Sequence, residues 1–470
     1  MRRWLFIVVV SLLTASCALG PNYRRPAIEM PPVYRDTAAA DVQAGPQSFA
    51  DLPWFDLFKD DMLTRTVNAA LAQNFDLRIA AERVLQARER VRIVRAGQFP
   101  VAIGSATVGR SRLSEVGARP LPSGADPDVS SFQAGFSLSW ELDVWGQLRR
   151  LNESARARYL ATEEARRGIV TTLVADVTDG YFALQTFDRQ LVIAQRTRDV
   201  AVDNLRLTQL RRDRGVATGL DVRQAEQLLY TTTGQIASLQ REVAQTEDFL
   251  SLLLGQAPGD VPRGAPVDAL NVLPSVPPGL PSALLERRPD IRQAEQELVA
   301  ANAQIGVAKA EYFPRIGLTG ALGGESRALA DLLTAPARTW LAGAAAAAPI
   351  FNAGRTRANV RLAESVQREL VVNYQRTVYR ALREVSDALV GYRKTGEQRL
   401  QQEHLVDAQR DAARLSTDRY QGGLDSYLQV LDAQRSLFRS ELDLAALRRL
   451  ELASIVELYR ALGGGWNTQP

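Results

Sequence analysis

The clearest indication of the fold is the segment FQAGFSLSWELDV, residues 132–144. Apolar and polar side chains alternate along it without a break, so that Phe132, Phe136 and Trp140 share one face with Ala, Leu and Val, and the other face carries Gln, Ser, Gly, Glu and Asp. Such alternation predicts a β-strand with one apolar and one polar face, longer than the about 9–11 residues that a tilted strand needs to cross a bilayer. The pattern fits a transmembrane strand and a half-buried strand of a soluble sheet equally well.

Three other segments resemble strands. VAIGSATVGR (101–110) is the expected partner of the first strand, RIGLTGALGG (315–324) alternates weakly, and WLAGAAAAAPIF (340–351) is ambiguous by pattern. Four strands are too few for a barrel, which needs about eight. Four strands exposed to lipid would also leave open edges with unsatisfied backbone groups. If the strands are transmembrane, several chains must share one barrel, and three chains would supply twelve strands.

An internal repeat organises the chain. NFDLRIAAERVLQA (74–87) aligns with RPDIRQAEQELVAA (288–301) at an offset of 214, and beyond Gly146 the offset becomes 208. Each copy is predicted to contain a helix (about 60–98, about 281–312), two strands, a long helix and a return helix. The predicted organisation is a signal peptide (1–16), a tether (17–59), a first repeat (60–255), a Pro-rich linker (256–280), a second repeat (281–463) and a tail (464–470).

The long helical pattern of the first copy runs from Leu148 to Arg214 without proline. At 1.5 Å per residue it would reach on the order of 100 Å. Nine of twelve positions at heptad spacing between Val170 and Thr208 are apolar, and the return helix keeps the same spacing from Val222 to Leu253. This pattern predicts coiled-coil-like packing. An amphipathic helix on a globular core would share the periodicity but does not account for the length.

Cys17 is the only cysteine, and it follows a short apolar stretch that begins after Arg2 and Arg3. The arrangement resembles the lipobox of bacterial lipoproteins. We therefore expect cleavage before Cys17, an S-diacylglycerol on its thiol and an N-palmitoyl group, which together anchor the chain firmly. Ala18 is not the aspartate that resembles an inner-membrane retention signal, so the outer membrane is expected. The alternative is an ordinary signal peptide with an incidental cysteine.

Composition argues against an enzyme. One cysteine and one histidine, His404, cannot build a thiolate or multi-histidine metal site, and no glycine-rich phosphate loop is present. The formal net charge of +4, from 57 basic and 53 acidic residues, does not indicate binding to nucleic acid. No catalytic residue, metal or cofactor other than the lipid is expected. No run of 18 apolar residues follows the signal, which argues against transmembrane helices.

The chain resembles the outer-membrane factors of bacterial tripartite efflux systems, TolC-like and nearest to the OprM/NodT lipoprotein branch. The resemblance rests on CALGPNYRRP, ERRPDIRQAE, AKAEYFPRIGLTGALG, PIFNAGRTRANV and RYQGGLDSYLQVLDAQRSLF. It implies a mixed α and β fold in which a homotrimer forms one transmembrane β-barrel, with four strands per chain, continuous with a long α-helical periplasmic tunnel. It also implies a passive duct that a periplasmic adaptor (membrane fusion protein) connects to an inner-membrane pump, of the RND type.

The resemblance also implies the functional residues. The turns between the long and return helices would be periplasmic tips that contact the adaptor, formed by Gly215, Val216, Ala217, Gly422, Gly423 and Leu424. Leu428 and Asp432 match the apolar and acidic constrictions of the tunnel, and Tyr420 and Asp221 fall where the family has gate-linking polar contacts. Gln429 stands where some relatives have a further acidic residue, which puts a doubled acidic ring in doubt.

Two rival functions share much of this sequence evidence. The first is the exit channel of a type I protein-secretion system, which has the same fold. The second is a lipid-anchored periplasmic coiled-coil scaffold without a pore, which requires the strand 132–144 to be soluble.

Overall fold

The computed structural model describes residues 18–35, 58, 60–117, 121–122, 124–264, 266 and 279–464. Cys17, the signal peptide and most of the tail and linker lie outside them. The helices and strands are α1 (Asp61–Gln73), α2 (Phe75–Ala96), β1 (Val101–Arg112), β2 (Asp128–Leu142), α3 (Gln147–Asp213), α4 (Gly219–Leu253), α5 (Leu284–Arg287), α6 (Pro289–Ala310), β3 (Arg315–Ser326), β4 (Arg338–Ala347), α7 (Arg355–Gln421) and α8 (Tyr427–Ala461). No described helix combines the length and hydropathy that a membrane-spanning helix requires.

The chain divides into two compact units. The first comprises the described residues of Met1–Pro26, Val84–Thr162 and Ala294–Tyr374, and it contains the sheet. The second comprises those of Ala27–Arg83, Glu163–Gln293 and Gln375–Pro470, and it contains most of the long helices and both return helices. Each unit is built from corresponding segments of the two sequence repeats.

The first unit carries one antiparallel sheet in the order β1-β2-β3-β4. All four predicted strands are present, including the ambiguous alanine-rich segment, which forms β4. Phe136 lies opposite Gly104 on β1 and Leu322 on β3, and Leu322 lies opposite Trp340 on β4. In one chain Phe136 is 72% exposed and Trp340 is 78% exposed. The apolar face predicted around Phe136 and Trp140 is therefore left uncovered within one chain, as expected for strands that several chains share.

The two halves of the structure repeat each other element by element. Helices α3 and α7 have 67 residues each and begin 208 positions apart, at Gln147 and Arg355. The return helices α4 and α8 have 35 residues each and keep the same offset. Helices α2 and α6 have 22 residues each and begin 214 positions apart, at Phe75 and Pro289. The alignment read from the sequence thus corresponds to equivalent elements in space.

The structure departs from the single helix expected over about 60–98. Two helices, α1 and α2, replace it, with Asn74 between them. The Asn74 backbone adopts an extended ψ of 132°, and its side-chain oxygen accepts a hydrogen bond from the Leu77 N–H at 3.0 Å. An asparagine side chain that caps a helix start in this way competes with helix continuation. In the second repeat α6 begins at Pro289, a residue suited to a first helical position.

Helix α3 buries the side that its heptad pattern predicts. All twelve heptad positions between Val170 and Thr208 are buried or half-buried. On α4 the predicted positions Val222, Ala225, Ile236 and Leu239 are buried, but Leu228 is buried more completely than its predicted neighbour Leu229. Burial returns to the predicted positions at Thr232, Ile236 and Leu239, so the change at Leu228 is local.

Candidate functional site

The turn between α3 and α4, the first tip, is closed by backbone hydrogen bonds around Gly215. The Val216 N–H donates to the Arg211 carbonyl at 2.9 Å, and the Gly215 N–H donates to the Arg212 carbonyl at 2.8 Å. This pair of bonds is the Schellman arrangement, which places one residue in the left-handed region. Gly215 occupies that position with φ of 76°, where an L side chain is strained.

The turn between α7 and α8, the second tip, repeats this geometry 208 positions later. The Leu424 N–H donates to the Arg419 carbonyl at 2.9 Å, and the Gly423 N–H donates to the Tyr420 carbonyl at 3.0 Å. Gly423 also has φ of 76°. Val216 and Leu424 take equivalent positions and are both exposed, at 65% and 71%. The residues predicted to contact the adaptor thus form two exposed turns with the same backbone.

Side chains stabilise the first tip through a capping box. The Asp221 carboxylate accepts hydrogen bonds from the Thr218 N–H at 2.7 Å and from the Thr218 hydroxyl at 2.8 Å. In return the Asp221 N–H donates to the Thr218 hydroxyl oxygen at 3.2 Å. These bonds satisfy backbone donors at the start of α4. Asp221 is therefore engaged within its own helix in the single chain.

The second tip is packed around two tyrosines. Tyr420 on α7 and Tyr427 on α8 are 6% and 1% exposed. Their rings meet edge to face with centroids 5.4 Å apart, and the Arg211 guanidinium lies 4.6 Å from the centre of the Tyr420 ring. Neither hydroxyl has a hydrogen-bond partner among the described residues. Burial, together with the neighbouring Tyr420, raises the pKa of Tyr427 to about 12.

Two arginines at equivalent positions act differently. Arg211 donates to the Gln421 carbonyl at 3.4 Å and so joins the first tip to the second. Arg419 instead pairs with Asp425 of its own turn at 2.6 Å. The hydrogen bond from this guanidinium lowers the pKa of Asp425, which is half-buried beside the exposed Arg419. The second tip is therefore stabilised by the buried tyrosine pair within it and by the ion pair of Arg419 and Asp425 at its surface.

Leu428 and Asp432 lie one turn apart on the exposed side of α8. Leu428 is 51% exposed, whereas Tyr427, Val430 and Leu431 point into the cluster between the helices. An apolar side chain and a carboxylate are thus presented together on a face that the chain itself does not cover. Such a face can form a ring only when further copies supply the same residues.

The structure brings together some of the residues predicted from sequence and separates others. Leu428 and Asp432 share one face, and Tyr420 lies in the packed layer behind it. Asp221 takes part in the capping box, and the Tyr420 hydroxyl does not reach it. The sequence reading missed Tyr427 and Arg211, which contact Tyr420. A tyrosine seven residues after Tyr420 was a visible signal, but the position of Arg211 depends on how the end of α3 packs against the other helices at the tips.

Comparisons with known proteins agree with this geometry. The family described as "Outer membrane efflux protein" matches residues 66–256 and 280–464. The solvent efflux pump outer membrane protein SrpC of Pseudomonas putida is 40% identical over 459 residues, which cover 97% of each chain. The cation efflux system protein CusC of Escherichia coli O6:H1 is 36% identical over 460 residues, again 97% of each chain. The open-state structure of the MtrE outer membrane channel of Neisseria gonorrhoeae superposes with a TM-score of 0.85 at 29% identity, covering 97% of this chain and 100% of that one.

These matches confirm the fold class predicted from the sequence, a helical periplasmic tunnel with a β-barrel that three chains share. They also confirm the location in the outer membrane and the partners, namely two further copies, an adaptor and an inner-membrane pump. The relatives that carry this conclusion are efflux channels. The chain belongs to the outer membrane efflux protein family, as the outer-membrane channel of a tripartite efflux system.

Proposed function

We propose that this chain is a passive exit duct for small organic molecules such as solvents and drugs, and that it performs no catalytic step. The observation that carries the proposal is the 40% identity to a solvent efflux channel over 97% of both chains. The cation efflux channel matches over the same share at 36% identity, which makes metal cations the second candidate cargo. The pump that supplies the duct is of the RND type.

Deletion of the gene tests the cargo. The deletion strain, with the pump and adaptor intact, is compared with the parent for growth in toluene, in hydrophobic antibiotics and in metal salts. We expect susceptibility to the organic compounds to rise and to return to normal when the gene is restored. A strain sensitive only to metal salts would overturn the organic cargo in favour of cations.

The exposed face of α8 supports an aperture formed by Leu428 and Asp432. Three copies of Asp432 around one axis would attract cations, because like charges held close together favour a bound counterion or proton. Asp432→Ala should weaken the block of single-channel current by multivalent cations and leave trimer assembly intact. The matched control is Gln224→Ala, since Gln224 is the residue 208 positions earlier on the first return helix. Unchanged block in Asp432→Ala would place the acidic ring elsewhere.

Tyr420 and Asp221 are proposed to hold the tips in a closed arrangement. The Tyr420 hydroxyl is buried within one chain and has no hydrogen-bond partner among the described residues, so it would gain a partner from another copy only when the tips rearrange. Tyr420→Phe should therefore raise the open-state conductance of the isolated channel in planar bilayers. Asp221→Asn should act in the same direction by loosening the start of α4. Conductance equal to that of the wild type in both variants would remove these residues from the gate.

The exposed tips, formed by Gly215, Val216, Ala217, Gly422, Gly423 and Leu424, are proposed as the contact with the adaptor. Val216 and Leu424 offer apolar side chains at equivalent positions of two matching turns. Replacing both with Asp should abolish co-purification with the adaptor, because a buried unpaired carboxylate is costly. Trimers of this variant should keep the wild-type conductance, which separates lost docking from lost folding.

We also propose that Cys17 carries an S-diacylglycerol and an N-palmitoyl group. Leu19, two residues later, is held beside the end of β2, where its N–H donates to the Trp145 carbonyl at 3.1 Å and its carbonyl accepts from Arg150 at 3.1 Å. Two residues span at most about 7 Å. A lipid on Cys17 would therefore be attached close to the strand ends, where a membrane boundary is expected.

Mass spectrometry of the mature N-terminus tests the lipid. We expect a triacylated Cys17 in the wild type and an unprocessed precursor in Cys17→Ser. A mature protein that begins elsewhere with Cys17 removed, or one with a free thiol, would contradict the proposal. Efflux should persist in part in Cys17→Ser, since the shared barrel also holds the protein in the membrane.

A further inference from the structure

The sheet ends in two edges that have no partner strand in the described part of the chain. Strand β1 pairs with β2 alone, and β4 pairs with β3 alone. An edge strand presents a row of unpaired N–H and C=O groups. The three copies of the assembly must join these edges to one another, in one residue-by-residue register.

The two hairpins of the chain have the same register under the repeat offsets. Shifting Val101 by 214 positions and Ser139 by 208 positions turns the β1·β2 pair Val101–Ser139 into Arg315–Ala347. Arg315–Ala347 is itself an observed pair of β3·β4. Strands β1 and β3 are therefore equivalent, and so are β2 and β4. The six-residue difference between the repeats falls in the connections between the hairpin strands.

The joint between β2 and β3 is where the first repeat meets the second within one chain. In the assembly, β4 of one copy meets β1 of the next. Because β4 is equivalent to β2 and β1 is equivalent to β3, this joint corresponds to the β2·β3 joint. Leu138 and Gly320 are paired in β2·β3. Adding 208 to the first number and subtracting 214 from the second gives the equivalent residues Ala346 and Ala106. Applying the same shifts to the adjacent pair Ser137–Ala321 gives Ala345 and Thr107.

We infer that β4 pairs antiparallel with β1 of the next copy in the register of the β2·β3 joint, with Ala346 opposite Ala106, Ala345 opposite Thr107 and Trp340 opposite Arg112. The inference rests on the trimeric assembly of the family and is independent of the compound transported. It names the surface on each side of the joint, and it gives the backbone groups of both edges partners from a second copy of this chain.

The faces of the strands agree with this register. Trp340 shares a face with Phe136 and Leu322, and Gly104 and Ala106 of β1 lie on that same face. In the inferred register Ala346 and Ala344 of β4 lie beside Ala106 and Val108, so the apolar face continues across this part of the joint, whereas Ala342 and Trp340 lie beside Arg110 and Arg112 at its other end. A slip of one residue would set it against Ser105, Thr107 and Ser111, because successive side chains point to opposite sides of a sheet.

Disulfide trapping between copies tests the register. Directly opposite Cβ atoms in an antiparallel pair lie about 4.5–5.5 Å apart, whereas diagonal ones lie about 7–8 Å apart. A disulfide needs about 3.5–4.5 Å, so only opposite residues should link readily. The test variants are Ala346→Cys with Ala106→Cys, and Ala345→Cys with Thr107→Cys. One of these pairs falls at a non-hydrogen-bonded position, where side chains are closer, because the two kinds of pair alternate along a strand.

Three kinds of control accompany these variants. The displaced pairs move the β1 cysteine by two residues from its inferred partner. Ala346→Cys is therefore combined with Gly104→Cys or with Val108→Cys, and Ala345→Cys is combined with Ser105→Cys or with Gly109→Cys. Leu138→Cys with Gly320→Cys is the equivalent pair within one chain, and it should lose its free thiols without changing the size of the chain. Each single-cysteine variant reports any background linkage through Cys17.

After mild oxidation in native membranes, non-reducing electrophoresis in denaturant should show a covalent trimer for at least one inferred pair. The displaced pairs should link at least about tenfold less. A displaced pair that links better than both inferred pairs would overturn the register while leaving the trimer in place. Failure of both inferred pairs while Leu138→Cys with Gly320→Cys closes would overturn the joint itself.

Discussion

The two helical tips have the same backbone and different side-chain support. Both turns close with the same two backbone hydrogen bonds, and both place a glycine at φ of 76°. In the first tip, Thr218 and Asp221 form a capping box. In the second tip, Ser426 makes no side-chain capping bond to a described residue, and a buried tyrosine pair lies beneath the turn. The positions equivalent to Tyr420 and Tyr427 in the first tip are Arg212 and Gly219.

The difference shows that the two copies share the backbone of the turn, whereas the side chains that support the turn belong to one copy only. The turn geometry depends on the backbone and one glycine, so it recurs in both copies. The first tip is stabilised locally, by residues three apart on one helix. The second tip depends on contacts between helices, including the contact of Arg211 with Tyr420. We therefore expect substitutions in the second tip to affect packing between helices and those in the first to affect mainly its own turn.

The largest effect is expected when the tyrosine pair is broken. Tyr427→Ala removes a side chain that is 1% exposed and should cost about 3–5 kcal/mol of unfolding free energy, as large-to-small changes in a core do. Thermal unfolding of the purified trimer, followed by circular dichroism, measures the loss. Tyr427→Phe is the matched control, and it should leave stability unchanged or slightly higher because the hydroxyl has no described partner. A large loss in Tyr427→Phe would show that the hydroxyl is bonded in the assembly.

A smaller and equal effect is expected from the two turn glycines. No described atom lies within 4 Å of a Cβ added at Gly215 or Gly423, so backbone strain alone opposes a side chain. Gly215→Ala and Gly423→Ala should each cost about 1–2 kcal/mol. Gly219→Ala and Gly422→Ala are the controls, since neither glycine has a positive φ. Unequal losses at Gly215 and Gly423 would mean that the two turns are not equivalent in the trimer.

The capping box should distinguish the tips by a smaller margin. Thr218→Ala removes the side chain that caps α4 and should cost about 1 kcal/mol. Ser426→Ala at the equivalent position of α8 should cost little, because that side chain caps no described donor. Hydrogen exchange of the first turn of each helix measures the difference locally. Equal increases in exchange would show that Ser426 acquires a capping role in the assembled channel.

The smallest effect is expected from the surface ion pair of the exposed Arg419 and the half-buried Asp425. Arg419 lowers the folded-state pKa of Asp425, so the pair stabilises the second tip above the unfolded pKa of about 3.9 and loses this contribution as pH falls through the lower folded value. The melting temperatures of the wild type and Asp425→Asn should differ slightly at pH 6 and converge as pH falls below about 3.9 and through the lower folded pKa of Asp425. Arg419→Gln should show the same convergence, and the double variant should add nothing further. A constant difference across this pH range would exclude titration of Asp425 as the cause.

Much of the fold could be predicted from local patterns. The strand 132–144, the unbroken helix from Leu148 and the return helices all follow from periodicity, because side-chain spacing reports directly which face is buried. The repeat offsets also located the equivalent turns at Gly215 and Gly423. Breaks were harder to predict, since the one at Asn74 depends on a single side-chain hydrogen bond to Leu77.

Sequence patterns alone predicted most of the element types and the repeat and, for strands that cross the membrane, the need for more than one chain, because four strands cannot close a barrel. Which tip residues meet depends on how the helices pack in three dimensions. Arg211 and Tyr420 are 209 positions apart and come together because the ends of α3 and α7 meet beside the cluster that α4 and α8 complete, while Asp221 turns back to Thr218. Contacts of this kind depend on the rotation and stagger of long helices, which a periodic pattern leaves free and side-chain packing sets.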